Sequence, residues 1–159
     1  MKISIISVGS IKEKYLKDAI AEYSKRLSKY TKVEFLNVSD EQIGQNASKK
    51  EEEIIKNKEG EKLLKIIPEQ SFKIVLDLKG EMLSSPELAN KIKEITTYKN
   101  SHLSFIIGGS LGLSDDVLKL ADYHLCFSKM TFPHQLMQVI LLEQIYRAFK
   151  INNNEIYHK

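Results

Sequence analysis

Cysteine, proline and tryptophan are scarce in this chain: one Cys, three Pro and no Trp among 159 residues. The lone Cys126 excludes an intrachain disulfide framework and any multi-cysteine zinc site, and a reducing compartment is its simplest setting. No apolar run approaches the roughly 20 residues of a membrane helix. The short apolar stretch after Met1-Lys2 ends at Gly9, with Lys12-Glu13-Lys14 close behind, so it does not read as a signal peptide. A cytoplasmic protein with no membrane contact is expected. The four histidines, His102, His124, His134 and His158, show no metal-ligand spacing, and no metal is expected. There is no Walker A sequence, and the glycines do not give the dinucleotide spacing Gly-x-Gly-x-x-Gly.

What is present is the composition of a folded domain, 42% hydrophobic and 28% charged. The length suits one well-buried domain, residues 1–159. The net charge of +3 permits an acidic partner without demanding one. Its distribution is uneven: residues 1–50 hold ten Lys or Arg against six acids, whereas residues 101–159 hold five of each. The excess concentrates between Lys12 and Lys32.

Strand and helix patterns alternate along the chain. Residues 2–8, 32–38, 72–78, 103–107 and 123–127 are short runs rich in β-branched and aromatic residues and read as strands. The run 103–107 is apolar apart from Ser104, as expected of a central strand covered on both faces. Between Lys12 and Lys29 the residues Leu16, Ala19, Ile20, Tyr23 and Leu27 recur at helical spacing, leaving Lys14, Lys17, Lys25 and Lys29 on the opposite face. That face is either simply solvated or directed at RNA. Ser48 with Glu51 has capping-box spacing and opens a helix to about residue 66, with Ile54, Ile55, Leu63 and Leu64 as its apolar positions and Gly60 as a weak point. Lys79-Gly80 predicts a turn, and Ser85-Pro86 a capped helix to about residue 97. Ser114 caps a short helix, and a last helix spans about 134–151. The expected fold is α/β: one mostly parallel sheet with helices on both faces. The last helix is apolar on more than one face (Leu136, Val139, Ile140, Leu142, Ile145, Tyr146, Phe149), which predicts burial against a second copy of the chain.

Three segments with chemical potential follow strands: Leu76, the turn Gly108-Gly109-Ser110-Leu111-Gly112, and the loop before Pro133-His134. Open α/β sheets hold ligands at the carboxyl ends of their strands, so these segments can meet on one rim. The turn also matches the nucleophile elbow Gly-x-Ser-x-Gly, with Asp122 and His134 following in serine-hydrolase order. A hydrolase nucleophile is followed at once by a long helix, however, whereas Leu111-Gly112-Leu113-Ser114 continues as loop. A serine hydrolase is therefore a minor alternative.

Three longer motifs carry a resemblance. They are Phe105-Ile106-Ile107-Gly108-Gly109-Ser110-x-Gly112, then Phe127-Ser128-Lys129-Met130-Thr131-Phe132-Pro133-His134, and Glu143-Gln144-x-Tyr146-Arg147-Ala148 with the tail Tyr157-His158-Lys159. Over its full length the chain resembles the SPOUT methyltransferases, whose C-terminal half forms a trefoil knot, and within them the members that methylate N-3 of a pseudouridine in large-subunit ribosomal RNA. The resemblance implies S-adenosylmethionine as methyl donor, bound by Leu76, Gly108 and the run Phe127, Ser128, Lys129, Met130, Thr131 and Phe132. It implies His134, Arg147, Tyr157 and His158 as catalytic residues, with His134 the first choice for a general base; on the residues alone, a plain helix-start residue with no catalytic role is the stronger reading of His134. It further implies a homodimer in which the tail of one chain completes the site of the other, Arg147 and Lys159 on RNA phosphate, and an assembled ribosome as substrate. The family tail often reads Pro-Tyr-His-Arg where this chain has Ile156-Tyr157-His158-Lys159, and Lys lacks the planar donor fork of Arg. Methylation of another RNA, and a non-catalytic RNA-binding module, are the remaining alternatives.

Overall fold

The computed structural model describes residues 1–159. Five strands, β1 (Lys2–Val8), β2 (Lys32–Val38), β3 (Phe72–Met82), β4 (His102–Ile107) and β5 (Tyr123–Cys126), alternate with five helices, α1 (Lys14–Leu27), α2 (Lys49–Ile66), α3 (Ser85–Tyr98), α4 (Asp115–Leu120) and α5 (His134–Asn152). The strands form one sheet in the order β2-β1-β4-β3-β5, parallel throughout. This is the expected α/β architecture.

Side chains alternate across the sheet, and each face has its own core. Ile3, Ile5, Ile74, Leu103 and Phe105 meet Leu27 of α1, Ile92 of α3 and Leu141, Leu142 and Ile145 of α5. Ile6, Val8, Val75 and Ile106 meet Leu63 of α2 and Val117 of α4 on the other face. Strands β1 and β4 are almost wholly buried, which explains their mainly apolar composition, and the serines within them, Ser4, Ser7 and Ser104, are buried as well.

Four local expectations are corrected. Lys79-Gly80 makes no turn: β3 continues to Met82, and both Leu76 and Glu81 face Leu125, so residues 77–80 form an irregular excursion within the strand. The cap of α3 is Ser84, whose hydroxyl accepts from Glu87 N while the Glu87 carboxylate accepts from Ser84 N; Ser85 instead donates to Gln144 Oε1. Of the expected apolar positions of α2 only Leu63 is deeply buried, and Ile54 and Leu64 face solvent. Gly60 does not weaken that helix but lets it cross α4: a Cβ there would lie 2.8 Å from Ser114 Cβ and collide with Ser114 Oγ. Ser114 in turn caps α4 by accepting from Val117 N.

Candidate active site

The carboxyl ends of the parallel strands all open toward one rim. There the excursion 77–80 of β3, the glycine turn after β4 and the loop between β5 and α5 enclose a cavity of about 380 Å³. Its walls are largely apolar: Leu76, Leu78, Ile107, Leu125, Phe127, Met130, Phe132 and Met137. A cavity of this size and lining suits one small organic ligand. Gly108 lies where the turn folds back on itself, and a Cβ there would stand 2.6 Å from the carbonyl carbon of Gly112. The turn is closed by Gly112 N donating to Gly109 O at 3.0 Å. In the β5–α5 loop, Ser128 Oγ accepts from Met130 N, and the Cys126 thiol donates to Ser128 O. Cys126 is thus a buried brace for the loop.

Seven of the eight residues assigned to the cofactor line this cavity: Leu76, Gly108, Phe127, Ser128, Met130, Thr131 and Phe132. Lys129 does not. His134, the first residue of α5, lines it as well. Asp77 was not anticipated. It places a carboxylate on the cavity wall, where Oδ2 meets His124 Nδ1 at 3.0 Å and Oδ1 accepts from Lys79 N. The irregular strand that presents Asp77 has no local sequence signature beyond Lys79-Gly80.

Arg147, Tyr157 and His158 form a second group elsewhere. Arg147 Nη1 is 3.2 Å from His158 Nδ1, and its guanidinium lies over the Tyr157 ring at 4.7 Å. The hub is Glu143, another residue given no role in advance: it accepts from Tyr157 Oη at 3.0 Å and from Arg147 Nη2 at 2.8 Å. Its spacing of four before Arg147 on one helix face was the available clue. Burial, followed by the Glu143 hydrogen bond, holds the Tyr157 hydroxyl above its ordinary value. Glu155 fixes the chain entering the tail by accepting from Tyr30 Oη and pairing with Lys150. Beyond it Ile156 stands 95% exposed, an apolar side chain with nothing over it.

Within one chain the two groups are far apart. His134 and Arg147 are separated by 13 residues of α5, or about 20 Å at the helical rise. Between them α5 presents Leu136, Val139 and Ile140 partly to solvent, while Leu142, Ile145, Tyr146 and Phe149 are buried in the chain's own core. The excess apolar face is therefore narrower than the sequence suggested.

The hydrolase arrangement is absent. Asp122 is engaged by Lys73 N at the start of β3, the end of the sheet opposite Ser110, and no hydrogen bond links Ser110 to His134. On α1 the basic side chains are partly neutralised, Lys14 by Asp18 and Arg26 by Glu22. No helix is long and apolar enough to cross a membrane.

The comparisons agree with this architecture. A family model described as "Predicted SPOUT methyltransferase" matches residues 1–158. "Ribosomal RNA large subunit methyltransferase H" of Clostridium botulinum (strain Alaska E43 / Type E3) is 62% identical over 159 residues, with both chains covered in full. The proteins of the same name from Alkaliphilus oremlandii and Clostridioides difficile are 60% and 59% identical, again over both full lengths. Among solved structures, a probable methylase family protein from Haemophilus influenzae Rd KW20 shares the fold, with a TM-score of 0.54 and 15% identity over 99% of this chain and 70% of that one. A full-length family match, relatives near 60% identity and a ligand-sized cavity at the strand ends lead to one assignment: this chain belongs to the SPOUT methyltransferase family.

Proposed function

We propose that this protein transfers a methyl group from S-adenosylmethionine to N-3 of a pseudouridine in 23S ribosomal RNA, acting in the cytoplasm on the assembled ribosome. Residues 1–159 serve as a single knotted domain, and the working unit is a homodimer. The observation that carries the reading is the cavity of about 380 Å³ bounded by Leu76, Gly108 and the loop after β5. The names of the 59–62% identical relatives support ribosomal RNA as substrate.

S-adenosylmethionine supplies an activated methyl group on a sulfonium centre. The apolar residues Leu76, Phe127 and Phe132 suit its adenine, the backbone around Gly108 approaches it closely, and Asp77 offers a carboxylate to its hydroxyl or ammonium groups. The protein's main task is then alignment, since the donor carries its own activation. His134 at the cavity mouth is positioned to take the proton from the ring nitrogen as general base. Arg147 and Lys159 hold RNA phosphate, and the Tyr157-His158 pair closes over the substrate from the opposite subunit. The distance of about 20 Å along α5 between His134 and Arg147 favours service in trans.

Mass spectrometry of ribosomal RNA from a strain lacking the gene tests the assignment. One methyl group on a large-subunit pseudouridine should be missing and should return when the gene is restored. An unchanged modification profile would remove the reading.

A further inference from the structure

Behind the glycine turn lies a second cavity, of about 250 Å³, that shares Gly109, Ser110 and His134 with the first. Its character is opposite. The lining includes Asp40, Glu41 and Glu59 and no basic residue other than His134. Glu41 is neutralised by Lys62, whose Nζ lies 2.8 Å away. Asp40 has no ion-pair or hydrogen-bond partner, and its Cγ is 4.0 Å from the point where a Cβ on Gly9 would stand, with His134 Nε2 3.7 Å from the same point. Glu59 is 5% exposed although it is an acid, and burial pushes its carboxyl above the usual range. Its Oε2 accepts from Glu41 N at 3.1 Å, while Oε1 accepts nothing and lies 3.4 Å from a Cβ built on Gly109. That oxygen is not sealed in the core, since every sealed polar side-chain atom has a partner. In the free protein solvent can pair this oxygen, but a molecule that fills the cavity and displaces that water must bring its own donor or leave the acceptor unpaired.

The occupant must bring hydrogen-bond donors and no negative charge, which excludes an RNA phosphate. The carboxylates do not converge as metal ligands, because no group of three His, Cys, Asp or Glu is arranged to hold an ion. The larger cavity already has room for a cofactor-sized molecule. A nucleobase edge fits the remaining requirement. Pseudouridine, joined to its ribose through carbon, carries N–H groups at both N-1 and N-3 on either side of one carbonyl. In uridine N-1 bears the ribose and has no hydrogen.

We infer that Glu59 Oε1, assisted by Asp40, accepts a hydrogen bond from N-1–H of the target pseudouridine and so distinguishes it from uridine while N-3 faces His134 and the methyl donor. This assignment rests on the function proposed above. Reading an N–H by a buried acceptor discriminates strongly against the analogue that lacks it, since the acceptor is then left unpaired.

The test uses the full-length protein with two preparations of ribosomes, one carrying pseudouridine at the target and one from a strain that leaves uridine there. The wild-type protein should prefer pseudouridine in kcat/KM. Glu59→Gln can keep the bond to Glu41 N through its amide oxygen while turning an NH2 donor toward N-1–H, and it should lower the pseudouridine-to-uridine ratio by about tenfold, the equivalent of one ordinary hydrogen bond. Asp40→Asn, in an exposed loop, should lower the ratio in the same direction and carries the test if the buried variant folds poorly. Affinity for S-adenosylmethionine, measured by calorimetry, should stay within about threefold. An unaltered ratio, or equal wild-type rates on both ribosomes, overturns the inference and leaves the methyltransferase reading standing. Loss of cofactor affinity in both variants also overturns it and gives the cavity to the cofactor's ammonium group. Absence of wild-type transfer to either ribosome overturns the methyltransferase reading itself.

Discussion

The cavity at the strand ends and the cluster around Glu143 are built on contrasting principles. The cavity is enclosed by apolar side chains and by backbone that glycine lets approach, and a single chain supplies all of it. The cluster is a charge network on the surface of α5, with Arg147, Tyr157 and His158 held by or beside one carboxylate about 20 Å away along the helix. Under the function proposed above, binding is complete in one chain while the chemistry needs a second. Cofactor binding and methyl transfer should consequently respond to different substitutions.

The sharpest separation comes from removing residues 156–159. Turnover should fall by a hundredfold or more, the scale of a lost acid–base or positioning group, on the order of 10²–10⁴, while calorimetry records nearly unchanged cofactor affinity. Full turnover without the tail would dissolve the contrast. Gly108→Val acts from the other side. Its Cβ would meet Gly112 backbone at 2.6 Å, and overpacking of about 1–3 kcal/mol should weaken cofactor binding by about tenfold or more without disturbing the Glu143 cluster. Normal affinity in that variant would show that the turn yields.

Glu143→Gln is a finer probe. It removes the charge from the hydrogen bonds to Arg147 and Tyr157, interactions worth about 1.5–3 kcal/mol each when charged groups are involved. A loss of about tenfold in kcat/KM with intact cofactor affinity is expected. The smallest effect belongs to neither region. At the opposite end of the sheet, His102 Nε2 contacts Ser4 Oγ at 2.7 Å, and Glu34 accepts from the same hydroxyl while pairing with Lys2. Burial, and then the charges of Lys2 and Lys73 against that of Glu34, hold the His102 imidazole below its ordinary value of 6.5. The unfolded chain then binds the proton more readily. This contribution is full above about pH 6.5 and is lost as pH falls from there through the folded value. Between pH 7 and 5 the thermal midpoint should drop less in His102→Gln than in the wild type. Glu34, held below the usual carboxylate range by its Ser4 and Lys2 hydrogen bonds, acts at lower pH and does not blur the comparison.

Much of this was legible in the sequence because strand and helix periodicity are local. The five strands, the caps at Ser48 and Ser114 and the doubly buried run of β4 follow from residue types a few positions apart. The segments around Leu76, Gly108 and Phe127 could be placed on one rim because each follows a strand, and parallel strands end on the same side. Gly60 was misread for the complementary reason: its neighbour across the gap, Ser114, is 54 residues away. Glu59 beside it has no local signal to set it apart in a helix rich in Lys and Glu.

By itself, then, the sequence determined the elements, their order, the apolar alternation that buries the sheet on both faces and the motifs that carry the family resemblance. Only the tertiary structure decided which loops share a wall, that β3 runs on through an irregular segment to present Asp77, that Glu59 opens into a cavity behind the glycine turn, and that the tail lies far from His134 within its own chain. The division has a physical cause. Burial of alternating side chains is written into neighbours two to four residues apart, whereas the meeting of loops depends on strand order and helix crossings, which are fixed by contacts between residues tens of positions apart.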